Sequence, residues 1–150
     1  MEKALTLPID MSARQSGDEA YLLLDFADDA IASWCLGLVL LQRNLVDRLS
    51  VSDRNASYTL IMRPTSGHQR ATAHWKETEI ALDISEAELD GIIGFFLTYF
   101  RDGIADVDHI DIQYESDDPE TAYGYVTLKV PRTRMRRLSG DELRKYLDSL

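Results

Sequence analysis

A chain of 150 residues, 45% apolar and 28% charged, can bury a core without staples and suits a single domain spanning 1–150. A net charge of −10 argues against binding through nucleic-acid phosphates or anionic membrane surfaces, and leaves room for a basic protein partner. With one cysteine there is no internal disulfide, which fits a reducing compartment.

Lys3 to Met11 alternates Leu5, Leu7, Ile9 and Met11 with Ala4, Thr6, Pro8 and Asp10, which predicts a strand. Pro8 cannot donate to a ladder, so an edge position is expected. Glu19 to Phe26 reads as a second, more central strand. Leu22, Leu24 and Phe26 form one face, and Tyr21 and Leu23 the other. Asp28 or Asp29 then caps a long helix over about 29–49, with Ile31, Trp34, Cys35, Leu38, Leu41, Leu45 and Leu49 as its buried stripe.

Strands follow at 56–63 and 70–76, separated by a loop carrying Gly67 and His68. The alternation changes phase near Glu77, which calls for a bulge or a tight turn before Ile80, Leu82 and Ile84. A central buried helix over about 85–102 has both ends marked. Ser85 with Glu88 forms a capping-box pattern, and Gly103 is placed to end it. Leu89, Ile92, Ile93, Phe96, Leu97 and Phe100 share one side, while Gly91, Gly94 and Thr98 are expected to form a groove for close packing.

Strands at 107–115 and 122–130 predict a hairpin. Pairing Asp111 with Thr127 sets His109 opposite Lys129, Gln113 opposite Tyr125 and Glu115 opposite Tyr123, and matches both faces. A short C-terminal helix follows, with Ser139 and Glu142 as a second capping box. The elements amount to an α+β fold with an antiparallel-rich sheet, and no internal repeat is visible in the sequence.

Chemistry-bearing patterns are sparse. Neither a GxGxxG nor a GxxxxGK[ST] pattern occurs. Cys35 sits among Trp34, Leu36 and Leu38, as a small buried hydrophobe would. His68, His74 and His109 lack metal-ligand spacing, so no cofactor or metal is expected. Asp25, Asp28 and Asp29 suit helix capping. The longest apolar run, Ala30 to Leu41, is 12 residues, short of the roughly 20 that span a bilayer. The opening MEKALTLPID lacks a basic segment followed by an apolar run, so a cytoplasmic location is expected.

Charge is unevenly spread. Asp102 to Glu120 holds eight acidic residues and no lysine or arginine, and Lys129 to Arg137 holds five basic residues and no acidic one. Mutual neutralisation is the plain account, and a basic partner for the hairpin is the sharper one. The expected function is therefore a non-enzymatic acidic binding protein, such as an immunity-type inhibitor of a basic toxin or nuclease. Its partner-binding residues would be His109, Asp111, Gln113, Glu115, Tyr123 and Tyr125 on the outward hairpin face. A small-ligand binder or enzyme, and a structural subunit of a larger assembly, are the alternatives.

Overall fold

A computed structural model describes residues 1–66, 70–102, 107–116, 118–131 and 140–149. It is a mixed α/β structure built on one nine-stranded sheet. The strands are β1 (Glu2–Thr6), β2 (Ile9–Ser16), β3 (Glu19–Phe26), β4 (Arg48–Ser52), β5 (Thr59–Thr65), β6 (Ala71–Lys76), β7 (Glu79–Ser85), β8 (His109–Glu115) and β9 (Tyr123–Lys129). Three helices accompany them: α1 (Ile31–Gln42), α2 (Glu86–Asp102) and α3 (Gly140–Asp148). Gly67, His68, Gly103 and the arginines between 132 and 137 lie outside the described residues, as does Ser139 with its expected cap.

The sheet order is β1-β4-β5-β7-β6-β8-β9-β3-β2. Consecutive strands form four antiparallel pairs: β2–β3, β4–β5, β6–β7 and β8–β9. Parallel contacts β1–β4, β5–β7, β6–β8 and β3–β9 stitch these pairs together. The two kinds of contact alternate across the sheet, with antiparallel pairing the longer in total.

This order contains a duplication. β2-β3-α1-β4-β5 and β6-β7-α2-β8-β9 are the same succession of elements. In each half the leading strand pairs antiparallel with the second; the third strand pairs parallel with β6 in one half and, in the other, with β1, the strand that runs into β2. The halves join through two equivalent parallel seams. Glu19 to Asp25 pairs with Tyr123 to Lys129, and Glu79 to Ser85 pairs with Thr59 to Thr65. Even the tight turns correspond, with Gly17 at φ +64° and Glu77 at φ +56°. The topology is thus repeated where the sequence shows no repeat, because equivalent positions such as Leu24 with Ile84 and Met62 with Val126 share apolar character without identity.

β1 and β2 stand at opposite ends of the strand order, yet only Leu7 and Pro8 separate them. There the Leu7 N–H donates to the Ser52 carbonyl at 3.1 Å, and the Ala27 N–H donates to the Pro8 carbonyl at 3.1 Å. The sheet therefore curls until its two ends meet at this short run. Buried residues from the strands and from α1 and α2 form one core. Phe26, Trp34 and Phe96 pack at its centre with ring centroids 5.1 to 5.7 Å apart.

The long helix expected over 29–49 is shorter. α1 stops at Gln42, and residues 48–52 are β4. Asn44 adopts φ +58°, the Leu45 N–H reaches the Leu40 carbonyl at 3.0 Å, and the Asn44 N–H reaches Leu41 at 3.2 Å. These are the two bonds of a Schellman cap, with asparagine tolerating the left-handed position. Leu45 is exposed, while Leu49 is buried from a strand rather than a helix.

The expected central helix is present from Glu86, and the Ser85 hydroxyl accepts the Glu88 N–H at 3.2 Å. It is buried on one face only. Leu89, Ile92, Ile93, Phe96 and Tyr99 are buried, whereas Leu97 and Phe100 are exposed. Gly91 and Gly94 face open space, so the close-packing groove expected there does not form.

A different glycine is needed for packing. Tyr114 lies opposite Gly124, and its hydroxyl donates to the Ala20 carbonyl at 2.6 Å while accepting from Trp75 Nε1 at 2.9 Å. A Cβ on Gly124 would sit 1.7 Å from that carbonyl oxygen. We expect Gly124→Ala to lower the urea midpoint sharply, and Phe96→Ala to cost about 3–5 kcal/mol. Gly94→Ala should instead raise stability by up to about 1 kcal/mol, because alanine is the better helix former and nothing obstructs it. Urea melts of the three variants check these directions.

Candidate functional site

All six residues expected at a partner-binding surface fall on the outer face of the β8–β9 hairpin, in the register their alternation implies. His109 opposes Lys129, Asp111 opposes Thr127, Gln113 opposes Tyr125 and Glu115 opposes Tyr123. The alternation that exposes them buries Ile112, Tyr114, Val126 and Leu128 beneath.

The surface extends further than the hairpin, because β9 pairs in parallel with β3, and β3 with β2. One row across the four strands runs Arg14, Tyr21, Tyr125, Gln113. The Tyr21 and Tyr125 rings stack with centroids 5.9 Å apart and planes 7° apart. The Arg14 guanidinium lies 5.3 Å from the Tyr21 centroid, within cation–π reach. The next row runs Ser12, Leu23, Thr127, Asp111, and a shallow groove of about 320 Å³ opens along Ser12, Arg14, Tyr21, Leu23 and Thr127.

Carboxylates frame the tyrosines. The Tyr21 hydroxyl donates to Glu19, which raises the Tyr21 pKa above the usual phenol value. Thr127 donates to Asp111, and Glu115 pairs with Arg70 at 3.2 Å. His109 Nδ1 is 2.9 Å from Asp108, and its Nε2 is 3.8 Å from Asp111. Among the described residues, Asp10, Glu19, Asp25, Asp111 and Glu115 outnumber Arg14, Lys129 and the adjoining Arg70, so the formal charge of this face is negative.

Tyr21 and Arg14 were not among the expected site residues. The strand alternation already put Tyr21 on the face opposite Leu22 and Leu24. No local signal, however, announces a parallel pairing between strands roughly a hundred positions apart.

The equivalent seam provides an internal comparison. Where Tyr21 pairs with Tyr125, the β7–β5 seam pairs Ala81 with Ile61. Where Leu23 pairs with Thr127, that seam pairs Asp83 with Arg63, joined by two hydrogen bonds at 2.7 and 3.3 Å. The duplicated scaffold therefore does not itself require the tyrosine stack.

Among the described residues no group of three His, Cys, Asp or Glu side chains could hold a metal ion, and no helix is long and apolar enough to cross a membrane. No family model matches the chain, and no curated protein matches it.

Burial pushes the Cys35 thiol up to about 11. The raised value favours the neutral thiol, so the stability it contributes is present below pH 9 and is lost as pH rises toward 11. Cys35 should accordingly react slowly with a thiol reagent in the native protein at pH 8 and rapidly in denaturant. Fast native labelling would show that the thiol is open.

Proposed function

We propose that this chain is a non-enzymatic binding protein that covers a basic protein partner with the outer face of β2, β3, β9 and β8. The observation that carries the reading is the stacked Tyr21–Tyr125 pair within a negatively charged sheet face, set where the equivalent seam has Ala81 and Ile61. Tyrosine offers apolar area with a polar tip and costs little entropy to fix, as recognition surfaces require. The surrounding carboxylates would steer and orient cationic side chains.

An immunity-type inhibitor of a toxin or nuclease is the concrete form of this reading. A nuclease must present cations to phosphate, and an acidic face can cover that surface. The net charge of −10 supports the same polarity of partner, and the cytoplasmic location expected from the sequence suits such a role. A subunit role in a larger assembly is the second reading, favoured by Leu36, Leu97 and Phe100, which are 45 to 58% exposed on α1 and α2.

The test compares wild type with Tyr125→Ala and Asp111→Ala as baits in native lysate, with partners identified by mass. A basic protein held by wild type should be retained about tenfold less by each variant, with melting midpoints unchanged. Asp111→Ala should also flatten the salt dependence of association, since ions screen charge steering. A partner that binds both variants as tightly as wild type would place the site elsewhere. A partner lost on substituting Leu36 or Leu97 would favour the assembly reading.

A further inference from the structure

Among the described residues, β2 has only one strand neighbour over most of its length. The sheet closes at Leu7 to Ile9, and beyond that point β2 pairs with β3 on one side, while β4 has already ended at Ser52. The direction of the peptide groups follows from the closure. Pro8 turns its carbonyl toward Ala27 beside β3, and Ile9 turns its carbonyl the other way, to the Arg54 N–H at 3.4 Å. Successive residues of a strand alternate in this respect. Met11 and Ala13 therefore direct both N–H and C=O to the outer edge, where among the described residues neither has a backbone partner.

Natural sheets blunt such edges with proline, a bulge or charged side chains, lysine above all, and the two charges on this edge, Asp10 and Arg14, are of opposite sign. Asp10 to Ser16 has no proline or lysine, and its ladder with β3 runs without a bulge. Asp10, Ser12, Ala13 and Arg14 are exposed. An open edge of this kind accepts another strand through main-chain hydrogen bonds, and side chains decide which strand.

The side chains here are complementary to themselves. Asp10 and Arg14 are equally spaced on either side of Ser12, and all three point to the outer face. We propose that a second copy of this chain pairs antiparallel along the β2 edge, about a two-fold axis through Ser12. Asp10 of each copy then opposes Arg14 of the other, giving two symmetric ion pairs. Met11 opposes Ala13 of the second copy, and because both direct their peptide groups outward, each such pair exchanges two main-chain bonds.

A two-fold through Ala13 would also satisfy the main chain, but it sets Asp10 against Ser16 and leaves both charges unmatched. Arg54 on the Ile9 carbonyl limits the ladder to Asp10 through Arg14. The contact is therefore small, below the size of a standard stable interface, and the dimer weak. A two-fold perpendicular to the sheet keeps outer face with outer face, so the two tyrosine stacks would lie on one continuous surface. The proposal rests on the strand edge and stands whether or not that surface binds a basic partner.

Sedimentation equilibrium up to about 100 μM tests it, a range suited to a weak interface. Wild type should show a monomer–dimer equilibrium. Asp10→Arg sets two arginines against Arg14, and Arg14→Asp sets two aspartates against Asp10. Each variant alone should dissociate at least about tenfold more readily, since like charges directly opposed repel. An equimolar mixture of the two should recover dimerisation, because it restores both opposite-charge pairs, and this also shows that each variant is folded. Wild type that stays monomeric throughout would overturn the proposal. So would variants that dimerise like wild type, or a mixture that fails to recover.

Discussion

The outer face depends on the parallel pairing of β3 with β9. These strands belong to different halves, and their pairing is the seam that sets the β2–β3 hairpin beside the β8–β9 hairpin. The pairing is fixed from below. Tyr114 passes beneath Gly124 to reach the Ala20 carbonyl, so a single side chain links β8 to β3 across β9. Trp75 holds the same hydroxyl from β6. Burial raises the Tyr114 pKa, which keeps the phenol protonated and able to donate. This buried, fully used hydroxyl fixes the register, and the register sets Tyr21 beside Tyr125 on the other side of the sheet.

The duplicated topology explains how a chain of this size closes its sheet. Each half supplies two hairpins and one helix, and the halves meet through two equivalent seams. The buried faces of these seams serve the same purpose and are filled by the same kinds of residue. Their outer faces differ. One seam carries a bidentate ion pair, Arg63 with Asp83, beside small and aliphatic groups, whereas the other carries stacked tyrosines, an arginine over one ring and several carboxylates. Folding constrains the inner faces alike and leaves the outer faces free, so the outer difference is where function is best sought.

Parts of this arrangement were legible in the residues alone. The β8–β9 register could be read because two alternating runs joined by a short connection allow few pairings, and only one matches both faces. Phe96 and Cys35 were legible as core from helical spacing. The end of α1 was misplaced because Leu45 and Leu49 continue a helical spacing past the true cap. Asn44, which makes the left-handed turn, was the available signal. The role of Gly124 could not be read, since it depends on a carbonyl from a strand more than a hundred residues away. The repeat was hidden for a related reason: the few identical pairs, such as Leu22 with Leu82, are scattered among positions that share apolar character at most.

On the function proposed above, the face bearing Tyr21, Tyr123 and Tyr125 is a recognition surface and the equivalent β5–β7 face is not. Hydroxyl-radical footprinting of the protein, free and bound to its captured partner, reads both faces in one measurement. Reduced oxidation of Tyr21, Tyr123 and Tyr125 is expected on binding, with Ile61 and His74, neighbours in one outer row of the other seam, unchanged. Protection at Ile61 with the three tyrosines as reactive as in the free protein would contradict it.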